Sequence, residues 1–201
     1  MVQETRSRVA EVERLTRETE VKVSVDLDGT GLTEVETGIG FFDHMLTALG
    51  RHSLINLEVC TKGDLEVDGH HTVEDTGIVL GQAFSQALGD KRGIRRFGSV
   101  VLPMDEALVL AAVDVSGRGQ LHWDVDVPSV MIGAFDASLA KEFFIAFATA
   151  AGVTLHVRSL AGENAHHMVE AVFKAVARAV REAVEPDPRM GNALPSTKGA
   201  L

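Results

Sequence analysis

Alternation of apolar and polar residues predicts β-strands at corresponding places in the two halves of the chain. In residues 21–27 every second residue is apolar, the pattern of a strand buried on one face. Residues 108–115, LVLAAVDV, predict a more fully apolar strand in the second half. Similar glycine-containing turns occur here, VDLDGTG at 25–31 and VDVSGRG at 113–119, and each predicts a hairpin with the segment that follows it.

Helical periodicity follows each predicted hairpin. FFDHMLTALG at 41–50 and LAKEFFIAFATAAG at 139–152 both end at a glycine, which favours a helix C-terminus there. A short apolar strand comes next in each half, LINLEVC at 54–60 and VTLHVRSL at 153–160. A second helix then begins at a pair of adjacent histidines. The order β-β-α-β-α therefore occurs twice.

This duplication predicts an α+β fold in which each half is a sheet packed on helices. The first half spans residues 1–93 and the second 94–185, and we expect them to form one compact unit. Residues 186–201 contain three of the five prolines and have no apolar periodicity. They predict a mobile C-terminal tail.

Composition excludes several classes of protein. The chain of 201 residues has a formal net charge of −10, which argues against nucleic acid as a partner. No apolar run approaches the roughly 20 residues that cross a bilayer, so no membrane partner is expected. The N-terminal segment mixes both charge signs and lacks the apolar stretch of a secretion signal, which predicts a cytoplasmic protein. The single cysteine, Cys60, cannot build a disulfide framework or a thiolate metal site.

One pattern of adjacent histidines followed by glutamate occurs twice, as VDGHHTVED at 67–75 and ENAHHMVEA at 163–171. Residues four apart share a helix face, so His70 points the same way as Glu74. His71 lies about 100° further round the helix. Two such helices can share two metal ions, with each ion taking a His–Glu pair from one helix and a lone histidine from the other.

The second copy repeats this geometry with His166, Glu170 and His167. One isolated pair would more often be solvated or capping histidines, whereas two copies in a repeat favour a pair of metal sites. Imidazole and carboxylate without thiolate suit Mn, Fe, Ni, Co or Zn. His44 and Glu142 occupy equivalent places in the preceding helices and are candidate further ligands. A structural histidine and a surface carboxylate are the alternatives for these two residues.

The halves differ in their cations, which suggests a site for an anionic group. Lys174 lies four residues after Glu170, where the first half has Ile78. Arginine, lysine and hydroxyl groups together can hold a phosphate without a glycine-rich loop. The candidates for this are the adjacent pair Arg95 and Arg96, and Arg118, Lys174, Ser196, Thr197 and Lys198.

The chain resembles the imidazoleglycerol-phosphate dehydratase family of histidine biosynthesis in six segments: FFDHML, DGHHTVED, PMDEAL, TLHVR, ENAHHMVEA and NALPSTKG. The resemblance covers nearly the whole chain in order. It implies a duplicated fold of the ribosomal-S5-domain-2-like type. It also implies a site with two Mn²⁺ ions formed between subunits, and a homo-oligomer of 24 subunits arranged as a hollow shell.

The resemblance also implies roles for individual residues. It assigns one ion to His44, His71, His166 and Glu170, and the other to His70, Glu74, His167 and Glu142. Some family members have histidine at the position of Glu142, so this residue departs from the pattern. The positions that match phosphate-binding residues are Arg96, Arg118, Lys174, Ser196 and Lys198, with Thr197 between the last two. The expected catalytic carboxylates are Glu18, Glu74 and Glu170, and His52 is a further candidate for a substrate contact.

The reaction implied is the dehydration of D-erythro-imidazoleglycerol phosphate to imidazole acetol phosphate through a metal-bound imidazolate. Glu18 matches the family's glutamate near the imidazole and is the expected acid/base group. Three alternatives remain open on the residues alone: a dimetal phosphoester hydrolase, a metal-storage shell, and a protein whose histidines only hold subunits together. The first uses the same ions and cations, whereas the storage shell has no need for Lys174, Arg118 and Lys198. The structural alternative predicts that chelation disrupts assembly and that there is no catalysis.

Overall fold

The computed structural model describes residues 7–201, and its elements fall into two halves. The first half contains β1 (Val9–Leu15), β2 (Thr19–Asp26), β3 (Thr33–Glu36), α1 (Gly40–Ser53), β4 (Asn56–Gly63) and α2 (His70–Leu88). The second contains β5 (Phe97–Met104), β6 (Ala107–Asp114), β7 (Gln120–Asp124), β8 (Met131–Ile132), β9 (Phe135–Asp136), α3 (Leu139–Ala151), β10 (Thr154–Ala161) and α4 (Ala165–Val184). The fold is α+β, as predicted.

The duplication is visible in the two four-stranded sheets, which have matching strand orders. They are β1-β2-β4-β3 and β5-β6-β10-β7. In each, the last pair is parallel and the other pairs are antiparallel. The register matches as well, since Val9 pairs with Asp26 in the first sheet and Phe97 with Asp114 in the second.

The prediction of a hairpin at each of the two glycine-containing turns is wrong. β4 lies between β2 and β3, and β10 lies between β6 and β7, so the strands on either side of each turn do not pair. The hairpins are β1-β2 and β5-β6, which begin one strand earlier than the sequence pattern indicated. β1 was not predicted because Val9 and Leu15 face outward beside Glu11 and Glu13, which obscures the alternation.

The four helices lie between the two sheets. α2 packs on β1 and β2, and α1 on β3 and β4; in the other half α4 packs on β5 and β6, and α3 on β7. The two helix layers meet where α2 packs on α3 and α1 on α4. Phe42, Phe143 and Phe173 are completely buried at this junction, and the rings of Phe143 and Phe173 stack at 5.2 Å. The apolar core therefore contains two layers of helices, and each layer is covered on its outer side by one sheet.

Glycines in α2 allow it to approach α3 closely. A Cβ added at Gly77 would lie 2.7 Å from the Phe143 carbonyl oxygen and 2.9 Å from the Ala146 Cβ. One added at Gly81 would lie 2.7 Å from the Phe147 carbonyl oxygen. All three distances are shorter than ordinary contacts of a Cβ atom, so only glycine fits at this helix spacing.

The helix ends agree with prediction in one half and differ in the other. α3 ends at Gly152 in the left-handed conformation, as predicted. α1 continues past Gly50 to Ser53, and Leu54 takes the left-handed position with φ of 61°. Gly50 is buried instead, and a Cβ there would lie 2.5 Å from the Thr33 side chain. No helix within residues 7–201 is long and apolar enough to cross a membrane.

Residues 186–201 lie against the segment that joins the two halves. The Gly93 amide donates to the Ala193 carbonyl at 2.9 Å, and the Asp187 amide donates to the Gly93 carbonyl at 2.8 Å. The Arg96 guanidinium donates to the Pro195 carbonyl at 2.8 Å. The tail thus runs beside residue 96, and its mobility stays a prediction.

Candidate metal centre

Three predicted ligands meet where α1 packs on α4: His44, His166 and Glu170, named here the His44 cluster. One ligand atom from each lies within 4.8 Å of the others. Glu170 Oε2 is 3.2 Å from His166 Nε2 and 3.6 Å from His44 Nε2. The Asn164 side chain caps α4 by accepting from the His166 amide at 2.9 Å, which fixes the start of the helix and hence the histidine.

Glu170 is a buried carboxylate held in its ionised form. Its residue is 6% exposed, and burial by itself would raise its pKa. The hydrogen bond from Lys174 Nζ to Glu170 Oε1, at 2.7 Å, outweighs this together with the charges of Lys174, His44 and His166. The pKa of Glu170 is therefore lowered, and the carboxylate is available as a ligand. Two imidazoles and one carboxylate fit a divalent transition metal. Lys174, which was predicted to face the metal, contacts the carboxylate of this cluster.

The corresponding residues of the first half do not form a second such cluster. His70 Nε2 lies 3.9 Å from Glu74 Oε2, so the pair shares a helix face as predicted. Glu142 lies in the first turn of α3, the helix that packs on α2. Across residues 7–201, however, the His44 cluster is the only group of three such ligands that meet. His70 instead borders a cavity of about 410 Å³ that is also lined by Asp68, Met131, Asp136 and Leu139.

His71 faces two carboxylates of its own half. Its Nδ1 lies 3.0 Å from Asp64 Oδ2, and its Nε2 lies 3.9 Å from Glu18 Oε2. The hydrogen bond to Asp64 raises the pKa of His71, and Glu18 adds to this. His71 does not join the His44 cluster within one chain, so the predicted four-residue set is three-quarters assembled there.

His167 makes the equivalent contact with a residue that sequence reasoning did not select. Its Nδ1 lies 2.8 Å from Glu106 Oε2, in the turn between β5 and β6. The pKa of Glu106 falls to about 2, because it accepts hydrogen bonds from His167 and from backbone amides, that of Asn164 first among them. The pKa of His167 is raised by the same bond. Glu106 lies in the PMDEAL segment that resembles the family, but no spacing in the sequence connects it with His167.

Glu18 is held in place by the short turn between β1 and β2. Thr16 Oγ1 accepts from the Glu18 amide at 3.1 Å and from the Thr19 amide at 2.9 Å. The Thr19 hydroxyl donates to the buried Asp75 of α2, which also pairs with Arg14 at 2.5 Å. These contacts fix the turn against the helix that carries His71.

The predicted phosphate-binding residues separate into two places. Arg96 donates from Nε to Asp114 Oδ1 at 2.8 Å, and Arg118 Nη2 lies 3.9 Å from Asp114 Oδ2. With the tail residues Ser196, Thr197 and Lys198 beside the Arg96–Pro195 contact, they form what we name the arginine cluster. Lys174 belongs to the His44 cluster instead.

The two clusters lie at opposite ends of α4. The Arg96 amide donates to the Ala183 carbonyl at 2.8 Å, which places Arg96 at the C-terminal end of the helix. Ala183 is thirteen residues after Glu170, a distance of about 20 Å along the axis. One chain alone therefore does not bring the arginine cluster to the metal ligands.

His52 lies in the last turn of α1, near the cations of α4. Its pKa is lowered, first by burial and then by the charges of Lys174 and Arg178. A neutral imidazole beside two cations can accept a hydrogen bond. Its predicted substrate contact stays a prediction.

The sequence of this chain is similar to those of known proteins that share one name. A family model described as imidazoleglycerol-phosphate dehydratase matches residues 37–180. A protein of that name from Paracoccus denitrificans is 63% identical over 194 residues, covering 96% of this chain and 100% of the relative. One from Ruegeria pomeroyi is 61% identical with the same coverage.

Two solved structures extend the likeness to the whole fold. The imidazoleglycerol-phosphate dehydratase of Staphylococcus aureus superimposes with a TM-score of 0.81 at 35% identity, covering 89% of this chain and 99% of the other. The Pyrococcus furiosus enzyme in complex with (S)-C348 also gives 0.81, at 37% identity and with 94% and 100% coverage.

Proposed function

This chain belongs to the imidazoleglycerol-phosphate dehydratase family, a hydro-lyase of histidine biosynthesis, and we propose that it dehydrates its substrate at two Mn²⁺ sites shared between copies of the chain. The substrate is D-erythro-imidazoleglycerol phosphate and the product imidazole acetol phosphate. Family membership decides against the phosphoester hydrolase, the storage shell and the purely structural histidines. The observation that carries the metal proposal is the His44 cluster.

The ligand sets are those of the resemblance. One ion would be held by His44, His71, His166 and Glu170, and the other by His70, Glu74, His167 and Glu142. Ions bound there would supply Lewis-acid chemistry, stabilising the anionic form of the substrate imidazole. The low pKa of Glu170 supports its part, because a carboxylate must be ionised to ligate.

The proposal that copies of the chain share the sites rests on the groups that one chain does not bring together. The His44 cluster has three of its four proposed ligands, and His71 lies elsewhere, beside Asp64. The arginine cluster lies about 20 Å along α4 from Glu170. We propose that neighbouring chains supply the missing groups in a homo-oligomer, with 24 subunits as the expected number, acting in the cytoplasm.

The remaining groups take the following roles. Glu18, held at the end of β1-β2, removes or returns the carbon-bound proton of the substrate. Lys174, His52 and the arginine cluster with Ser196, Thr197 and Lys198 orient the phosphate. Glu74 and Glu170 are the other two carboxylates at the reacting centre, where each is a proposed metal ligand.

The test is conversion of imidazoleglycerol phosphate to imidazole acetol phosphate by the purified protein, after metal removal and again after Mn²⁺ is restored. We expect activity to be lost and then recovered, with two ions bound per reaction centre. A folded, metal-loaded protein without activity would contradict the proposal. Activity that persists in the stripped protein would contradict the metal sites.

A further inference from the structure

We propose that Glu106 and Asp64 are positioning residues that hold the second histidine of each pair, so that its Nε2 is presented to a metal ion. Glu106 would serve His167, and Asp64 would serve His71. The inference rests on the proposed metal sites, but it concerns residues to which the ligand assignment gives no role.

Glu106 is fixed through both of its carboxylate oxygens. Oε2 lies 2.8 Å from His167 Nδ1, and Oε1 accepts from the Asn164 amide at 2.9 Å. Asn164 is the residue whose side chain caps α4. The carboxylate is thus tied to the first turn of the helix that carries His167, and it cannot swing away without losing these bonds.

This contact selects one tautomer of His167. An ionised carboxylate only accepts hydrogen bonds, so the proton of the neutral imidazole must be on Nδ1. The lone pair then lies on Nε2, which can bind an ion; Asp105 Oδ2 lies 3.8 Å from this nitrogen, beyond hydrogen-bonding distance. Metal-binding histidines commonly have such a carboxylate on the other ring nitrogen.

Asp64 makes the same kind of contact from a different place in the fold. It follows β4, and its two oxygens lie 3.0 Å and 3.2 Å from His71 Nδ1. The first histidine of each pair uses its Nε2 differently, since His70 and His166 direct it toward the glutamate one turn later. In both pairs it is therefore the second histidine that has a carboxylate on Nδ1.

The two positioning carboxylates, Glu106 and Asp64, occupy different positions of the repeat. Glu106 follows Glu18 by 88 residues, the spacing that also separates Gly29 from Gly117. Both occupy the turn between the first two strands of their half, and both lie near the second histidine. In the first half Asp64 takes Nδ1, which leaves Glu18 on the Nε2 side at 3.9 Å. The duplicated position thus has two uses, a positioning carboxylate in one half and a reactive one in the other.

Glu106→Gln is the sharpest test, because the amide oxygen can keep the bond to the Asn164 amide. Its NH₂ group then faces His167 Nδ1 as a donor, which would move the imidazole proton to Nε2 and block it. We expect the dissociation constant for one of the two Mn²⁺ ions to rise about 10- to 100-fold. The oligomeric state and the free energy of unfolding should not change. Glu163→Gln is the matched control, since it removes an exposed negative charge four residues from His167.

The second readout does not need metal. Solid-state ¹⁵N NMR of histidine-labelled, metal-free protein, at a pH high enough for His167 to be neutral, should give the Nδ1–H tautomer of His167 in the parent and the Nε2–H tautomer in Glu106→Gln. Asp64→Ala, with Glu66→Ala as its control, should weaken the other ion by a similar factor.

The outcomes separate this inference from the proposed function. Parent-like Mn²⁺ affinity in Glu106→Gln, an equal loss in Glu163→Gln, or an unchanged tautomer would overturn the positioning role while leaving the metal sites intact. Failure of the parent protein itself to bind Mn²⁺ would overturn both proposals.

Discussion

At the scale of single residues, the second histidine of each pair has a carboxylate within hydrogen-bonding distance of its Nδ1, Glu106 for His167 and Asp64 for His71. The pairing of His166 with Glu170 could be predicted from helix spacing, whereas the grouping of His44 with them was implied by the family resemblance. The contact of Glu106 with His167 could not be predicted. These residues are 61 apart, and they meet only because the β5-β6 turn reaches the start of α4.

Glu18→Gln tests the proposed acid/base group. We expect turnover to fall by about 10²- to 10⁴-fold, because the amide cannot exchange a proton with the substrate. The metal content should not change, since Glu18 is not in either proposed ligand set. Turnover is measured on protein whose Mn²⁺ content has been determined. Glu20→Gln, an exposed glutamate two residues later, is the control, and parent-like turnover in Glu18→Gln would remove it from the mechanism.

At the scale of elements, helix identities followed from periodicity, whereas strand pairing did not. The glycine-containing turns do reverse the chain, but which strand fills the space beside β2 depends on β4, some thirty residues further on. The residues around each turn do not indicate which strand will pair with β2. The buried alternation of β2 was predicted correctly, because it depends only on which face meets the helices.

Gly77→Ala tests the close packing of α2 on α3. Alanine favours helix by up to about 1 kcal/mol over glycine, but here its Cβ would meet the Phe143 carbonyl at 2.7 Å. Overpacking of this kind costs about 1–3 kcal/mol, so we expect a net loss in the free energy of unfolding.

Urea unfolding measures the difference, and Gly40→Ala at the exposed start of α1 is the control. Nothing lies within 4 Å of a Cβ at Gly40, so that variant should be neutral or slightly more stable. An equal response from both variants would contradict the packing argument.

At the scale of the whole molecule, Arg8, the residue before β1, connects the start of the first sheet to the end of the last helix. The Arg8 guanidinium pairs with Asp28 after β2 and donates to the Val184 carbonyl at the end of α4 at 2.6 Å. The hydrogen bond from Arg8 lowers the pKa of Asp28 below its ordinary 3.8, although burial partly opposes this. The resulting stability is present above the ordinary pKa and is lost as the pH falls through the lowered value.

Asp28→Asn should therefore reduce the free energy of unfolding at pH 7, by on the order of 1 kcal/mol or less for such an exposed pair. The difference from the parent should shrink as the pH falls below about 4. Urea unfolding at several pH values measures it. In an Arg8→Met background the same substitution should have no pH-dependent effect, and persistence of the effect there would exclude the pair as its cause.

Sharing of metal ligands between chains can be tested with mixed oligomers. His44→Ala and His71→Ala each remove one ligand of the same proposed ion, so each variant alone should be inactive. Co-expressed, they should regain about a quarter of the parent activity, because some sites then combine intact groups from two chains.

A mixture of His44→Ala and Glu170→Ala is the control for this experiment. Both residues belong to the His44 cluster of one chain, so no mixed site is intact and no activity should return. Equal recovery in the two mixtures, or none in either, would contradict the proposed division of ligands.

The separation of the His44 cluster from the arginine cluster along α4 also has a kinetic consequence. If a reaction centre takes its metal ligands from one copy and its phosphate-binding groups from another, an isolated chain has no complete centre. Specific activity then follows the law of mass action. It should decline on dilution below the dissociation constant of the contact between chains and recover when the protein is concentrated, whereas an enzyme complete within one chain keeps a constant turnover per chain at every concentration.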